Sequence, residues 1–142
     1  MAFSEKSNWV VLVVAVITLA TYGTTTFSQA LSKPVIEISW VQPMIYSIVG
    51  FVVLNIIGNI IAAATDPKEA DKNDQRDKEI NRFGERVGNY LIIAGSCLAL
   101  ALAMGKVDHF WIGNSIYLAG IVGAMGASVS KIIAYHAPFQ RW

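Results

Sequence analysis

Few side chains in this sequence are spaced for bond-making chemistry. Cys97 is the sole cysteine, so neither an intrachain disulfide nor a C-x-x-C relay is available to it. His109 and His136 flank the last apolar run and are expected on opposite sides of a membrane, so one monomer cannot use both on a single metal or haem. Asp71, Asn73 and Asp74 have the opening rhythm of a calcium loop, but the glycine and the closing glutamate are missing. No nucleophile sits in a recognisable motif with a base, and no glycine-rich phosphate loop occurs. These absences argue against an enzyme and imply neither a cofactor nor a metal.

The remaining polar side chains in apolar surroundings are amides and hydroxyls. Asn55 and Asn59 lie one helical turn apart, beside Gly58, and share a face. Hydrogen bonds to neighbouring helices are the plain expectation, each contributing about 0.6–2 kcal/mol in a membrane. A polar intramembrane ligand site is the sharper one. Thr18, Thr21, Thr24, Thr25 and Thr26 can return their hydroxyls to the preceding helical turn and need no ligand. Ionisable groups inside a span usually mark transport or catalysis, and here they are scarce. Lys131 is near a helix end and can snorkel to the interface, and Glu37 and Asp108 lie at or beyond the outer ends.

The elements that hold these groups follow from hydropathy. The chain has 142 residues, 54% of them hydrophobic, with a mean hydropathy of +0.48. Long runs are nearly free of charge, and about 20 apolar residues suffice to cross roughly 30 Å of hydrocarbon. The sequence therefore predicts an all-α membrane protein, a single domain of four transmembrane helices near residues 9–27, 41–64, 87–104 and 111–134. A cleavable signal peptide fits the first run poorly, because its apolar core is long and no small-residue cleavage site follows it. It reads as a retained helix.

Nine of the eleven Lys and Arg residues fall in the N-tail, the middle loop and the C-tail, so both termini and that loop are expected to be cytoplasmic. Aromatics fit the same frame, with Trp9, Tyr90, Tyr135 and Trp142 at the inner interface. Phe27, Trp40, Tyr46, Trp111 and Tyr117 would mark the outer one. A shift of 71 residues lays Trp40, Ile45, Tyr46, Ile61 and Pro67 on Trp111, Ile116, Tyr117, Ile132 and Pro138, which suggests two tandem helical hairpins.

Small residues recur every four positions at Gly95, Ala99 and Ala103 in the third span, and at Ala119, Gly123 and Ala127 in the fourth. Such stripes let helix backbones approach closely, so the third and fourth spans are expected to pack together. A second stripe, Gly120, Ala124 and Ser128, could face another subunit and make a homo-oligomer.

Residues 65–88 form the charged loop, in which acidic and basic side chains nearly balance, an argument against a polybasic lipid clamp. Ile80, Phe83, Val87 and Tyr90 recur at three- and four-residue steps, so the third span should extend beyond the membrane, with Gly84 and Gly88 as weak points. The C-tail, 135–142 with Phe139 and Trp142, is the simplest cover for that stripe, and a cytoplasmic partner or neighbouring subunit is the alternative.

The run Asp74-Gln75-Arg76-Asp77-Lys78-Glu79-Ile80, followed by Gly84-Glu85-Arg86-Val87-Gly88-Asn89-Tyr90, resembles the loop of a family of uncharacterised small bacterial membrane proteins. That family carries D-E-R-D…I…G-x-R-x-x-Y between hydrophobic hairpins. Gln75 departs from the pattern's acidic residue, and the likeness is strong only over 71–91. The resemblance implies a bacterial inner-membrane protein with no assigned enzyme activity. Some members lie beside small helix-turn-helix regulators, which would make the loop a docking site.

Three functions follow as expectations. The first is a non-enzymatic inner-membrane protein that presents Arg76, Asp77, Ile80, Phe83, Arg86 and Tyr90 to a protein partner, tethering a regulator, with no direct nucleic-acid binding. The others are an accessory subunit of a larger membrane complex and a small-molecule transporter using Asn55 and Asn59.

Overall fold

The computed structural model describes residues 2–70 and 74–138. All regular structure among them is helical: α1 (Phe3–Ala30), a 3₁₀ turn (Val35–Glu37), α2 (Val41–Thr65), the single turn α3 (Pro67–Ala70), α4 (Gln75–Met104) and α5 (His109–His136). The four long helices are each long and apolar enough to cross a membrane. Helix α1 starts six residues before the span read from hydropathy, because the polar residues from Ser4 to Asn8 continue the same helix.

Local chemistry sets the boundaries. At the α1–α2 connection, the Gln29 amide donates to the Ser39 carbonyl at 3.2 Å and accepts from the Ser39 N–H at 2.9 Å. Pro43 falls in the first turn of α2, where a missing N–H costs no helical hydrogen bond. Helix α2 ends before Asp66-Pro67, as the restriction on residues preceding proline leads one to expect. Asp74 opens α4 with a capping box shared with Asp77. Asp108 caps α5 by accepting from the Phe110 N–H at 2.9 Å. The turn between α4 and α5 places Lys106 at φ 54°, the left-handed conformation that commonly closes a helix.

Helix α1 packs between α2 and α5, and α5 packs between α1 and α4. The start of α2 also reaches α5, where Ser47 meets the Tyr117 hydroxyl and Trp40 lies against Gly113. The α1–α5 seam holds the core, where Ala15, Tyr22, Tyr117 and Ile121 are buried against Leu19, Met44, Phe51 and Met125. The α4–α5 seam is made by small residues. A Cβ on Gly88 would lie 2.9 Å from the Gly123 carbonyl oxygen, and one on Gly95 would run into the Ala119 methyl. Gly84 and Gly88 are buried in this seam. They are close-approach positions, where α4 and α5 meet backbone to backbone. Large apolar side chains such as Ile45, Ile56 and Ile60 on α2 and Leu100 and Met104 on α4 remain exposed.

Candidate functional site

Polar groups gather where the start of α1, the root of α4 and the end of α5 meet. Asp77 links two of these elements. Its carboxylate accepts from the Tyr135 hydroxyl at 2.6 Å and, through its other oxygen, from the Asp74 N–H at 3.4 Å. One residue beyond the span 111–134, Tyr135 has its phenol pushed well above the ordinary value, first by burial and next by the Asp77 carboxylate. The phenol therefore keeps its proton and is the donor in this bond. Arg76 donates to the Tyr135 carbonyl at 3.2 Å. From α1, the buried Glu5 places Oε1 2.9 Å from His136 Nε2.

These contacts frame an open cleft of about 550 Å³ lined by Glu5, Glu69, Asp74, Arg76, Asp77 and Tyr135. Four carboxylates and one guanidinium line it, with the Glu5 carboxylate beside the His136 imidazole. A second cleft of about 320 Å³ lies beside it, where Lys131 donates to the Asn81 side-chain oxygen at 2.6 Å among Ser4, Ser7 and Asn8.

The structure places the six residues expected to bind a partner in three different settings. Arg76 and Asp77 border the larger cleft and are tied to Tyr135. Ile80 is wholly buried, so it supports the surface from beneath, and Phe83 is half-buried. Arg86 and Tyr90 are exposed on α4. Ile80, Gly84 and Gly88 are buried on α4, and of the stripe that hydropathy suggested Ile80 is buried, Phe83 and Val87 are half-buried, and Tyr90 is exposed. Phe139 to Trp142, proposed as cover for that stripe, lie outside the described residues.

Among the helix-packing positions, Gly95, Ala99, Ala119, Gly123 and Ala127 lie at or near the α4–α5 seam, whereas Ala103 is exposed. The second stripe is divided, with Ser128 buried inside the chain and Gly120 facing open space. Asn55 and Asn59 do not reach other helices through their amide N–H groups. Those donate to the Phe51 and Asn55 carbonyls of their own helix, each at 2.8 Å. Asn55 Oδ1 is buried without a hydrogen-bond partner among the described residues. Thr21 and Thr25 return their hydroxyls to the preceding turn, as does Thr24.

Sequence reasoning missed the buried cluster on the α1–α5 seam. Tyr22 donates to the Asn114 side-chain oxygen at 2.5 Å, its ring lies 4.5 Å from that of Tyr117, and the Tyr117 hydroxyl pairs with Ser47. Tyr117 therefore packs in the core instead of marking an exposed interface. The spacing Thr18–Tyr22 on one face of α1 was the available signal. Glu5 was missed because the hydropathy span began after it.

No group of three or more His, Cys, Asp or Glu side chains set to hold a metal occurs among the described residues. His109 and His136 are the two ends of α5. The carboxylates of the cleft can attract cationic groups, and the bonds that Asp77 and Tyr135 make hold its walls. No family model matches the chain, and no curated protein or solved structure matches it either.

Proposed function

We propose that this chain is a non-enzymatic, multi-pass protein of a bacterial inner membrane, built from two tandem hairpins with both termini and the α4 root cytoplasmic. Its work is to hold a soluble protein partner at the membrane, and a tethered regulator fits that role. The observation that carries the reading is the acidic cleft at the joined ends of α1, α4 and α5. Its walls are braced by the Asp77–Tyr135 and Arg76–Tyr135 bonds, so a partner meets a preformed surface rather than a loop that must order on binding. Opposite charge would steer a basic segment of the partner to it. Arg86 and Tyr90 lie below the cleft, and Ile80 and Phe83 serve as its packed support.

The test is site-specific photo-cross-linking in cells from position 76, with position 33 in the α1–α2 connection as control. A discrete protein adduct from position 76 that weakens with Asp74→Asn, and is absent from position 33, is expected. Cross-linking to lipid and water alone, with no protein adduct, would overturn the docking reading.

A further inference from the structure

Three basic side chains of the α4 root, Lys78, Arg82 and Arg86, form one row at four-residue steps, which its near-neutral composition conceals, and Glu79 lies on the same side at its upper end. The acidic side chains are engaged: Asp74 and Asp77 in the cap, Asp77 again with Tyr135, and Glu85 with the Asn81 amide at 2.9 Å. Glu79 accepts from Gln75 at 3.5 Å and stands one turn above the arginines. Arg82 and Arg86 are exposed, one helical turn apart, and have no carboxylate partner among the described residues. Lys78 begins the same row, at the same four-residue step.

Below Arg86 this face continues as exposed apolar surface through Tyr90, Ile93, Leu100 and Met104. Tyr90 lies about 6 Å below Arg86 along the axis, and Arg82 about 6 Å above it. The headgroup layer on each side of a bilayer is about 5–8 Å thick. With Tyr90 at the hydrocarbon boundary, Arg86 enters that layer, and Arg82, about 12 Å above the boundary, stands beyond its outer edge and reaches back to it through its long side chain. The apolar row below runs about 21 Å, enough to line an acyl chain through one leaflet.

We infer that this face of α4 binds an anionic phospholipid, its phosphate held by Arg82 and Arg86 and its chains laid along Ile93 and Leu100. The inference rests on the reading of α4 as a membrane span, and charge complementarity selects this occupant over a zwitterionic lipid. Guanidinium suits the task because it meets phosphate with two donors at once.

The experiment reconstitutes the full chain in vesicles of phosphatidylcholine with phosphatidylglycerol and measures, by native mass spectrometry after mild extraction, which lipid is retained. Preferential retention of phosphatidylglycerol is expected, falling about fivefold for each arginine removed in Arg82→Gln and Arg82→Gln/Arg86→Gln. Lys33→Gln/Lys106→Gln removes the same charge elsewhere and should leave the preference intact. Equal retention of both lipids, or an equal loss in the two double variants, would overturn the inference. Vesicle flotation of every variant is read separately, since a chain that does not float refutes the membrane reading itself.

Discussion

Tyr135 is the residue through which the cleft is held together. Its hydroxyl meets Asp77 and its carbonyl meets Arg76, so one position on α5 fixes two side chains of the α4 root. Tyr135→Phe keeps the ring and removes the donor, leaving Asp77 with one fewer partner. A hydrogen bond to a charged group contributes about 1.5–3 kcal/mol, less where water can replace it. The expected loss is about 1 kcal/mol, read as a lower melting temperature in detergent with no change in helix content. Asp74→Ala removes the side-chain half of the capping box and should cost about 0.5–2 kcal/mol. For that variant, faster amide exchange confined to the first turn of α4 is the result that separates fraying from general destabilisation.

At the scale of elements, glycine has opposite meanings on the two sides of α5. Gly88→Ala would place a methyl against the Gly123 carbonyl oxygen and the Ala127 methyl, so the helices must separate. Gly120 has nothing within 4 Å of an added Cβ. Gly120→Ala should be neutral or stabilise by up to about 1 kcal/mol through helix propensity, whereas Gly88→Ala should lower the melting temperature despite the same gain. Equal effects of the two substitutions would show that α4 and α5 are not in backbone contact. Hydropathy located the four helices because apolar runs of that length have few other uses. It located the packed face of α4 less well, since glycine contributes close approach without hydrophobicity. The buried side of the root is therefore Ile80, Gly84 and Gly88, with Val87 half-buried beside them and Tyr90 exposed.

The same distinction governs what was legible in the site. Arg76 and Asp77 stood out as charged residues in the loop, but their common partner Tyr135 lies nearly sixty residues away and no local pattern announces it. Asn55 and Asn59 looked like bridges between helices because polar amides in apolar runs need partners. Their N–H groups found the carbonyl oxygens of their own helix instead. Tyr117 occupied a position typical of an interface aromatic, yet Tyr22 and Ser47 satisfy its ring and hydroxyl inside the protein.

For the whole molecule, the central claim is that the ends of α1, α4 and α5 form one polar platform on the cytoplasmic side of the membrane. Helix α4 has 30 residues, about 45 Å of helix, against roughly 30 Å of hydrocarbon. The helix therefore exceeds the hydrocarbon by about 15 Å, and its capped, charged end is the part suited to water. Single-cysteine labelling with a membrane-impermeant thiol reagent tests this most directly, in a Cys97→Ser background. Lys33→Cys and Lys106→Cys are predicted to react in intact cells, and Arg82→Cys only after the membrane is permeabilised. Reaction of Arg82→Cys in intact cells, with protection of the other two, would contradict the account.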